Sequence, residues 1–169
     1  MDEIRQIADR QALAELVALY CRAVDRRDFA LLRRLYHPEA IHDHGGLFRG
    51  TREEFLAFLE RSMDDVVTHH FVGNTLFALD GDLAEGEVYT VNYHVIGQQA
   101  RRDYVAGGRY LDRYRRHEGE WVFMERRRVI DWAHEAPTQD TGIAAALCRG
   151  VAGAADPSFT ALSAVPTLR

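Results

Sequence analysis

There is no lysine in this 169-residue chain; all 21 basic residues are arginine. A Schiff base to lysine and a lysine-bound pyridoxal phosphate are therefore excluded. Cysteine is almost as scarce. Cys21 and Cys148 lie far apart, in neither a CxxC nor a zinc-ligand pattern, and read as ordinary small buried side chains. No apolar run approaches the ~18 residues of a membrane span. The charged start Met1-Asp2-Glu3-Ile4-Arg5-Gln6 lacks the apolar stretch of a secretion signal, so a soluble cytoplasmic protein is expected. Positive charge is not in excess either: the net charge is −5, whereas nucleic-acid recognition normally needs a basic surface. There is no internal repeat and no linker. A chain of this length with 47% hydrophobic residues suits one domain with its own core.

What is present changes period along the chain. Ile4, Ile7, Ala8, Leu13, Leu16, Val17, Tyr20 and Val24 recur mostly every three or four residues, which predicts an amphipathic helix over Glu3–Val24. Asp28 is placed to cap a second helix, Phe29–Tyr36, ended by His37-Pro38. A short strand is expected at Ala40–His44. Thr51 and Glu54 form a capping box for a third helix through Phe55, Leu56, Phe58, Leu59 and Met63. From there on the pattern is that of strands: Val67–Leu79, Leu83–Ile96, Tyr104–Arg116 and Trp121–Ala133, with short Gly- and Asp-containing turns that favour an antiparallel meander. Helices followed by strands indicate an α+β domain over residues 1–137. Residues 138–169, rich in Ala, Gly, Ser and Thr, read as a tail packing on the domain or a neighbouring subunit, with a helical turn expected at Ile143–Leu147.

Few residues on the apolar faces carry chemistry. Only one of His69 and His70 can face inward on a strand. His70 reads either as a core histidine or as a proton-handling group. Alternation on the last strand places Arg126 and Arg128 on one face with Val122, Met124, Ile130 and Trp132. An inward Arg128 needs an accepting partner and serves either a structural ion pair or a site. Asp25 sits at a helix C-terminus, where the dipole disfavours a carboxylate, so helix formation does not explain it. Pairing with a neighbouring arginine on the surface remains open. Tyr20 lies on the apolar stripe and by default is a core residue. Thr90, Asn92 and His94 share a face that lines either a pocket or a subunit contact. His42 and His44 share a face too, but a metal would need further ligands beside them and Asp43.

The stretches Tyr20-Cys21-Arg22-Ala23-Val24-Asp25, Thr68-His69-His70-Phe71-Val72-Gly73-Asn74, Gly108-Arg109-Tyr110-Leu111-Asp112, Gly119-Glu120-Trp121 and Arg128-Val129-Ile130-Asp131-Trp132 together resemble the SnoaL-like branch of the NTF2-like superfamily. That resemblance, over about residues 3 to 136, implies a cone: a strongly curved, mostly antiparallel sheet wrapped around N-terminal helices. In function the likeness is to scytalone dehydratase, hexachlorocyclohexane dehydrochlorinase and bile-acid dehydratase enzymes. It implies a catalytic set of His70, Asp25, Tyr20 and Arg128. Asn92, His94 and Trp132 are expected to touch substrate. Tyr20 stands where the dehydrochlorinase has a lysine, which favours a hydroxyl or carbonyl substrate over a halide. No cofactor and no metal are implied, and a homotrimer binding a small hydrophobic molecule is. The expected function is a cofactor-independent, dehydratase-type lyase on a hydrophobic cyclic or polyketide-like substrate. The same superfamily also holds isomerases, aldol-type cyclases and noncatalytic binding or assembly subunits.

Overall fold

The structure, a computed structural model, describes residues 2–139 and 146–165. Asp2 caps α1 (Glu3–Arg26) by accepting the Ile4 amide. Leu13, Leu16, Val17, Tyr20 and Val24 are all buried along it. Ile4 and Ile7, expected on the same stripe, are 75% and 69% exposed; the buried stripe starts only at Asp9. The helix stops because Arg27 takes a left-handed φ of 57°, a conformation in which the chain leaves the helix axis. The guanidinium of Arg27 donates to Val24 O, Thr68 Oγ1, Met63 O and Val66 O, tying the end of α1 to the start of β3 (Val66–Asp80).

Asp28 caps α2 (Phe29–Leu35) through the Leu31 amide at 2.9 Å. The chain then extends directly into β1 (Tyr36–Asp43), which starts earlier than the expected strand at Ala40. A three-residue strand, β2 (Arg49–Thr51), was not foreseen. Both bonds of the Thr51/Glu54 capping box open α3 (Arg52–Ser62). β3 is followed by β4 (Leu83–Ile96), β5 (Arg102–His117) and β6 (Glu120–Pro137).

These strands form one six-stranded sheet in the order β2-β1-β6-β5-β4-β3. The expected meander of four strands is its core. What sequence order conceals is that β1 pairs in parallel with β6, setting His42 beside Arg126 and Asp43 beside Arg127. Three irregularities interrupt the antiparallel ladders: after Val72 in β3, between Gly107 and Gly108, and between Arg113 and Tyr114. Bulges of this kind bend strands and increase twist, which suits a sheet that curls around helices. Leu16, Tyr20, Leu32, Tyr36, Phe55 and Phe123 meet between the helices and the concave face.

Residues 146–165 lie along the C-terminal half of α1. The Gly153 amide donates to Arg26 O at 2.7 Å, Arg26 pairs with Asp156 at 3.2 Å, and Arg22 donates to Ser158 at the start of α4 (Ser158–Ala161). The helical turn expected at Ile143–Leu147 falls largely outside the described residues. No helix among the described residues is long and apolar enough to cross a membrane.

Candidate functional site

Asp25 and His70 meet where the end of α1 crosses β3. Asp25 Oδ1 lies 2.7 Å from His70 Nδ1 and accepts the Thr68 hydroxyl at 2.8 Å, while Oδ2 accepts the His70 amide at 3.0 Å. Burial raises the Asp25 carboxyl, but the three donors outweigh it and hold the group below the ordinary carboxylate range. The carboxylate is thus ionised near neutral pH and can only accept. His70 Nδ1 must carry a proton, so in the neutral imidazole Nε2 is the bare nitrogen. His69, the neighbouring residue, is exposed on the outer face.

Other polar groups converge on this imidazole. The edge of Tyr20 packs against His70 with ring centroids 6.4 Å apart. A continuous helix would set Tyr20 and Asp25 far apart in rotation; they share a site because His70 touches both across the helix end. Tyr20 is 2% exposed, and burial, then Tyr110 and Tyr36, push its phenol well up. His94 lies 5.7 Å from His70, edge to face, with its pKa lowered to about 4 by burial and then by His70. Its Nδ1 and the Oδ1 of Asn92 are buried without a hydrogen-bond partner, while Asn92 Nδ2 donates to the Tyr110 hydroxyl at 3.2 Å. Orphaned buried polar atoms are uncommon in folded proteins and call for an explanation such as a ligand.

Arg128 stacks over Tyr110, 5.0 Å from the ring centroid, and donates to Thr90 Oγ1 and Ala106 O. It has no carboxylate partner among the described residues, so its charge remains available to the site. The structural ion pair that sequence reasoning considered for Arg128 belongs to Arg126 instead. Arg126 is 0% exposed. It binds Asp112 through two parallel bonds of 2.8 and 2.6 Å, with its guanidinium about equally close to the rings of Tyr20, Tyr110 and Phe123. Its charge is neutralised below the site and is not displayed in it.

Trp132 does not join this group. The extra residue at Asp131 puts Gly107 opposite Trp132 and Gly108 opposite Ile130, which turns Trp132 to the outer face, where it is 52% exposed. Its ring covers Gly107 so closely that a Cβ there would lie 2.2 Å from Trp132 Cε2. The extra residue at Met124 likewise separates Val122 and Met124 from the face of Arg126 and Arg128. A Gly-Gly pair in a long strand is the sequence cue for such a bulge. His42 and His44 are close but point their facing nitrogens at one another, Nε2 to Nδ1 at 3.0 Å. Among the described residues no cluster of three or more His, Cys, Asp or Glu could hold a metal.

A surface concavity of about 1090 Å³ lies elsewhere, lined by Arg10, Leu76, Glu87, Leu111, Arg113 and Arg127 among others. Arg113 and Arg127 both pair with Glu125 there. It contains no member of the His70 group and is a solvated groove.

Residues 5–127 match the SnoaL-like domain. The chain belongs to the SnoaL-like domain family. Solved structures of low sequence identity share its fold. A type 2 hexachlorocyclohexane dehydrochlorinase (LinA) superposes with a TM-score of 0.76 at 16% identity, covering 83% of this chain and 97% of that one. A scytalone dehydratase candidate of Novosphingobium aromaticivorans superposes with a TM-score of 0.72 at 17% identity, covering 80% and 93%. At such identities the likeness is one of fold. In sequence, an uncharacterised Mycobacterium tuberculosis protein is 26% identical over 129 residues, 75% of this chain and 88% of the relative. This SnoaL-like chain therefore shares its architecture with dehydratases and dehydrochlorinases.

Proposed function

We propose that this SnoaL-like protein is a cofactor-independent lyase that eliminates water from a hydrophobic cyclic or polyketide-like alcohol. One observation carries the reading: His70 is bonded through Nδ1 to an ionised Asp25, so its other nitrogen is a bare base among polar groups that lack partners. In the proposed step, His70 Nε2 removes a proton from the carbon next to a carbonyl. The C–H electron pair becomes the new C=C bond as the C–O bond breaks, and the departing hydroxide takes the proton back from the His70 imidazolium to leave as water, which restores the base. Asp25 stabilises the imidazolium, as a triad aspartate does, without any nucleophile being involved. Arg128 faces the oxygen on which charge develops. Asn92 and His94 orient the substrate through their unpartnered atoms, and Tyr20 fixes the plane of the His70 ring from below.

The test is deuterium incorporation and water loss followed by mass spectrometry in D₂O, over a panel of cyclic ketones, β-hydroxy ketones and their unsaturated analogues. General acid–base catalysis contributes roughly 10²–10⁴-fold, and the His70→Ala protein is expected to be slower by about that factor. Equal rates for wild type and His70→Ala would sink the assignment. Deuterium uptake without loss of water would point instead to an isomerase or an aldol-type cyclase using the same base.

We further propose that the protein assembles as a homotrimer. The outward row Phe71, Val91, Gly107 and Trp132 crosses four strands in register and presents exposed apolar side chains that a second copy would cover. Light scattering should give three times the chain mass, and Trp132→Asp should yield smaller species; a wild-type monomer at micromolar concentration would overturn this.

A further inference from the structure

A second chain of polar groups, unused in the step above, runs through the core beside Tyr20, whose ring centroid lies 6.4 Å from those of both His42 and His70. The Tyr36 hydroxyl lies 2.8 Å from His42 Nδ1, and His42 Nε2 lies 3.0 Å from His44 Nδ1. The links are rigidly held. His42 is fully buried, stacked on Phe55 with ring centroids 3.5 Å apart and planes 7° from parallel. His44 is fixed by its amide bond to Phe48 O at 2.7 Å, within the turn that Asp43 closes by accepting the Gly45 amide.

The protons in this chain can be counted. Burial first, then His44 and Arg126, keep His42 neutral. His44 is lowered to about 4 by burial and then by Arg128, Arg126 and His70, with Asp43 alone opposing. Near pH 7 each ring therefore carries one N–H. Burial above all pushes the Tyr36 phenol well up, so it keeps its proton, and a phenol O–H donates to an imidazole nitrogen more readily than it accepts from one. The proton of Tyr36 is then directed to His42 Nδ1. His42 must hold its own proton on Nε2 and give that bond to His44 Nδ1, so the proton of His44 resides on Nε2. Among the described residues Nε2 has no hydrogen-bond partner.

Building on the proposed elimination, we infer that His44 is a further catalytic residue: a neutral imidazole, locked as the Nε2–H tautomer by Tyr36 and His42, that donates a hydrogen bond to the substrate oxygen. The site then holds two histidines of opposite set. Asp25 makes His70 a bare acceptor, and the Tyr36–His42 chain makes His44 a fixed donor. A base removes a proton most readily when the charge it creates is met by a donor already aimed at it, with no reorganisation at the moment of reaction. Tyr36 and His42 are positioning residues that act through His44. A neutral donor also avoids placing a second full cation beside Arg128.

Nitrogen-15 NMR of histidine-labelled protein near pH 7 tests the lock without any substrate. His42 and His44 are expected to show protonated Nε2 and bare Nδ1, and His70 the reverse. Tyr36→Phe should bring in the Nδ1–H form of His42 and His44 and leave His70 unchanged. A wild-type His44 protonated on Nδ1, or a Tyr36→Phe protein with unaltered tautomers, overturns the lock. In the deuterium assay, His44→Phe should lose about 10²-fold, as removal of one oxyanion donor does. His44→Gln, whose amide can supply an N–H near the ring position, should recover part of the loss. Full rate in His44→Phe removes the catalytic role even with the tautomers as described. A wild type that exchanges nothing across the panel removes the elimination reading and the catalytic role together, and the NMR result then stands as architecture alone.

Discussion

Replacing Asp112 by alanine should lower the unfolding free energy by about 3–5 kcal/mol, the cost of leaving one member of a buried ion pair uncompensated. A domain of this kind has only about 5–15 kcal/mol in total, so most of the protein would lose its cooperative transition under mild denaturant. The reason is specific to this pair. Asp112 accepts two bonds from Arg126 and a third from the Tyr114 hydroxyl at 2.7 Å, and both charged side chains are completely buried. Without the carboxylate, Arg126 is left uncompensated among the faces of Tyr20, Tyr110 and Phe123 and cannot lose its proton. Urea titration of Asp112→Ala and of the double variant Asp112→Ala/Arg126→Met separates charge from packing. The double variant is expected to regain much of the loss, because an apolar side chain needs no partner. A single variant within about 1 kcal/mol of wild type would contradict the assignment, since that is the scale of an exposed pair.

Acid should destabilise the protein before its carboxylates titrate. His42, His44 and His94 all have folded pKa values below the ordinary histidine range, the last two at about 4, with burial the first cause in each case. In the unfolded chain they would take up protons near 6.5. A depressed folded value means that the stabilising contribution is complete above pH 6.5 and is lost as pH falls towards the folded value. From 6.5 down to about 4, at about 1.4 kcal/mol per unit, His44 and His94 would each contribute on the order of 3 kcal/mol. Asp25, whose carboxyl is held low by its donors, loses its contribution only at still lower pH. Melting temperature recorded from pH 7 to pH 4 should therefore fall steeply across that window, and less steeply in His94→Phe. A flat profile down to pH 4.5 would show that these imidazoles are solvated.

Local signals along the chain were legible. The capping box at Thr51 and Glu54, the cap at Asp28, the buried stripe from Leu13 to Val24 and the limits of β4 follow from spacing and turn chemistry, because each depends on neighbours a few residues away. The meeting of Asp25 with His70 could be anticipated only through family resemblance, since a helix end and a strand carry no common period. What escaped were the bulges. The turn pairs His117 with Glu120, and counting back from it sets Asp112 opposite Glu125; the extra residue at Met124 brings Arg126 there instead. One residue thus decides which arginine is neutralised and which faces the site. A second extra residue, at Asp131, sends Trp132 to the outside. Parallel pairing of β1 with β6 escaped for a related reason: no turn joins them, and His42 meets Arg126 only through a strand far along the chain.

That pairing also orders the assembly of the protein in time. Residues 36–43 leave one edge open until residues 120–137 arrive beside them, so the chain must close a very long loop before the sheet is complete. Loop closure on that scale is slow, and an unpaired strand is exposed to other chains while it waits. Asp43 faces Arg127 across this seam at 3.2 Å, a charge contact that favours the correct register over association with a stranger. During synthesis from the N-terminus, the helices and first histidines would emerge early and remain without a finished pocket. Only the arrival of the last long strand would set Arg126 beneath Tyr20 and Arg128 above Tyr110, making chemical competence one of the final events of folding.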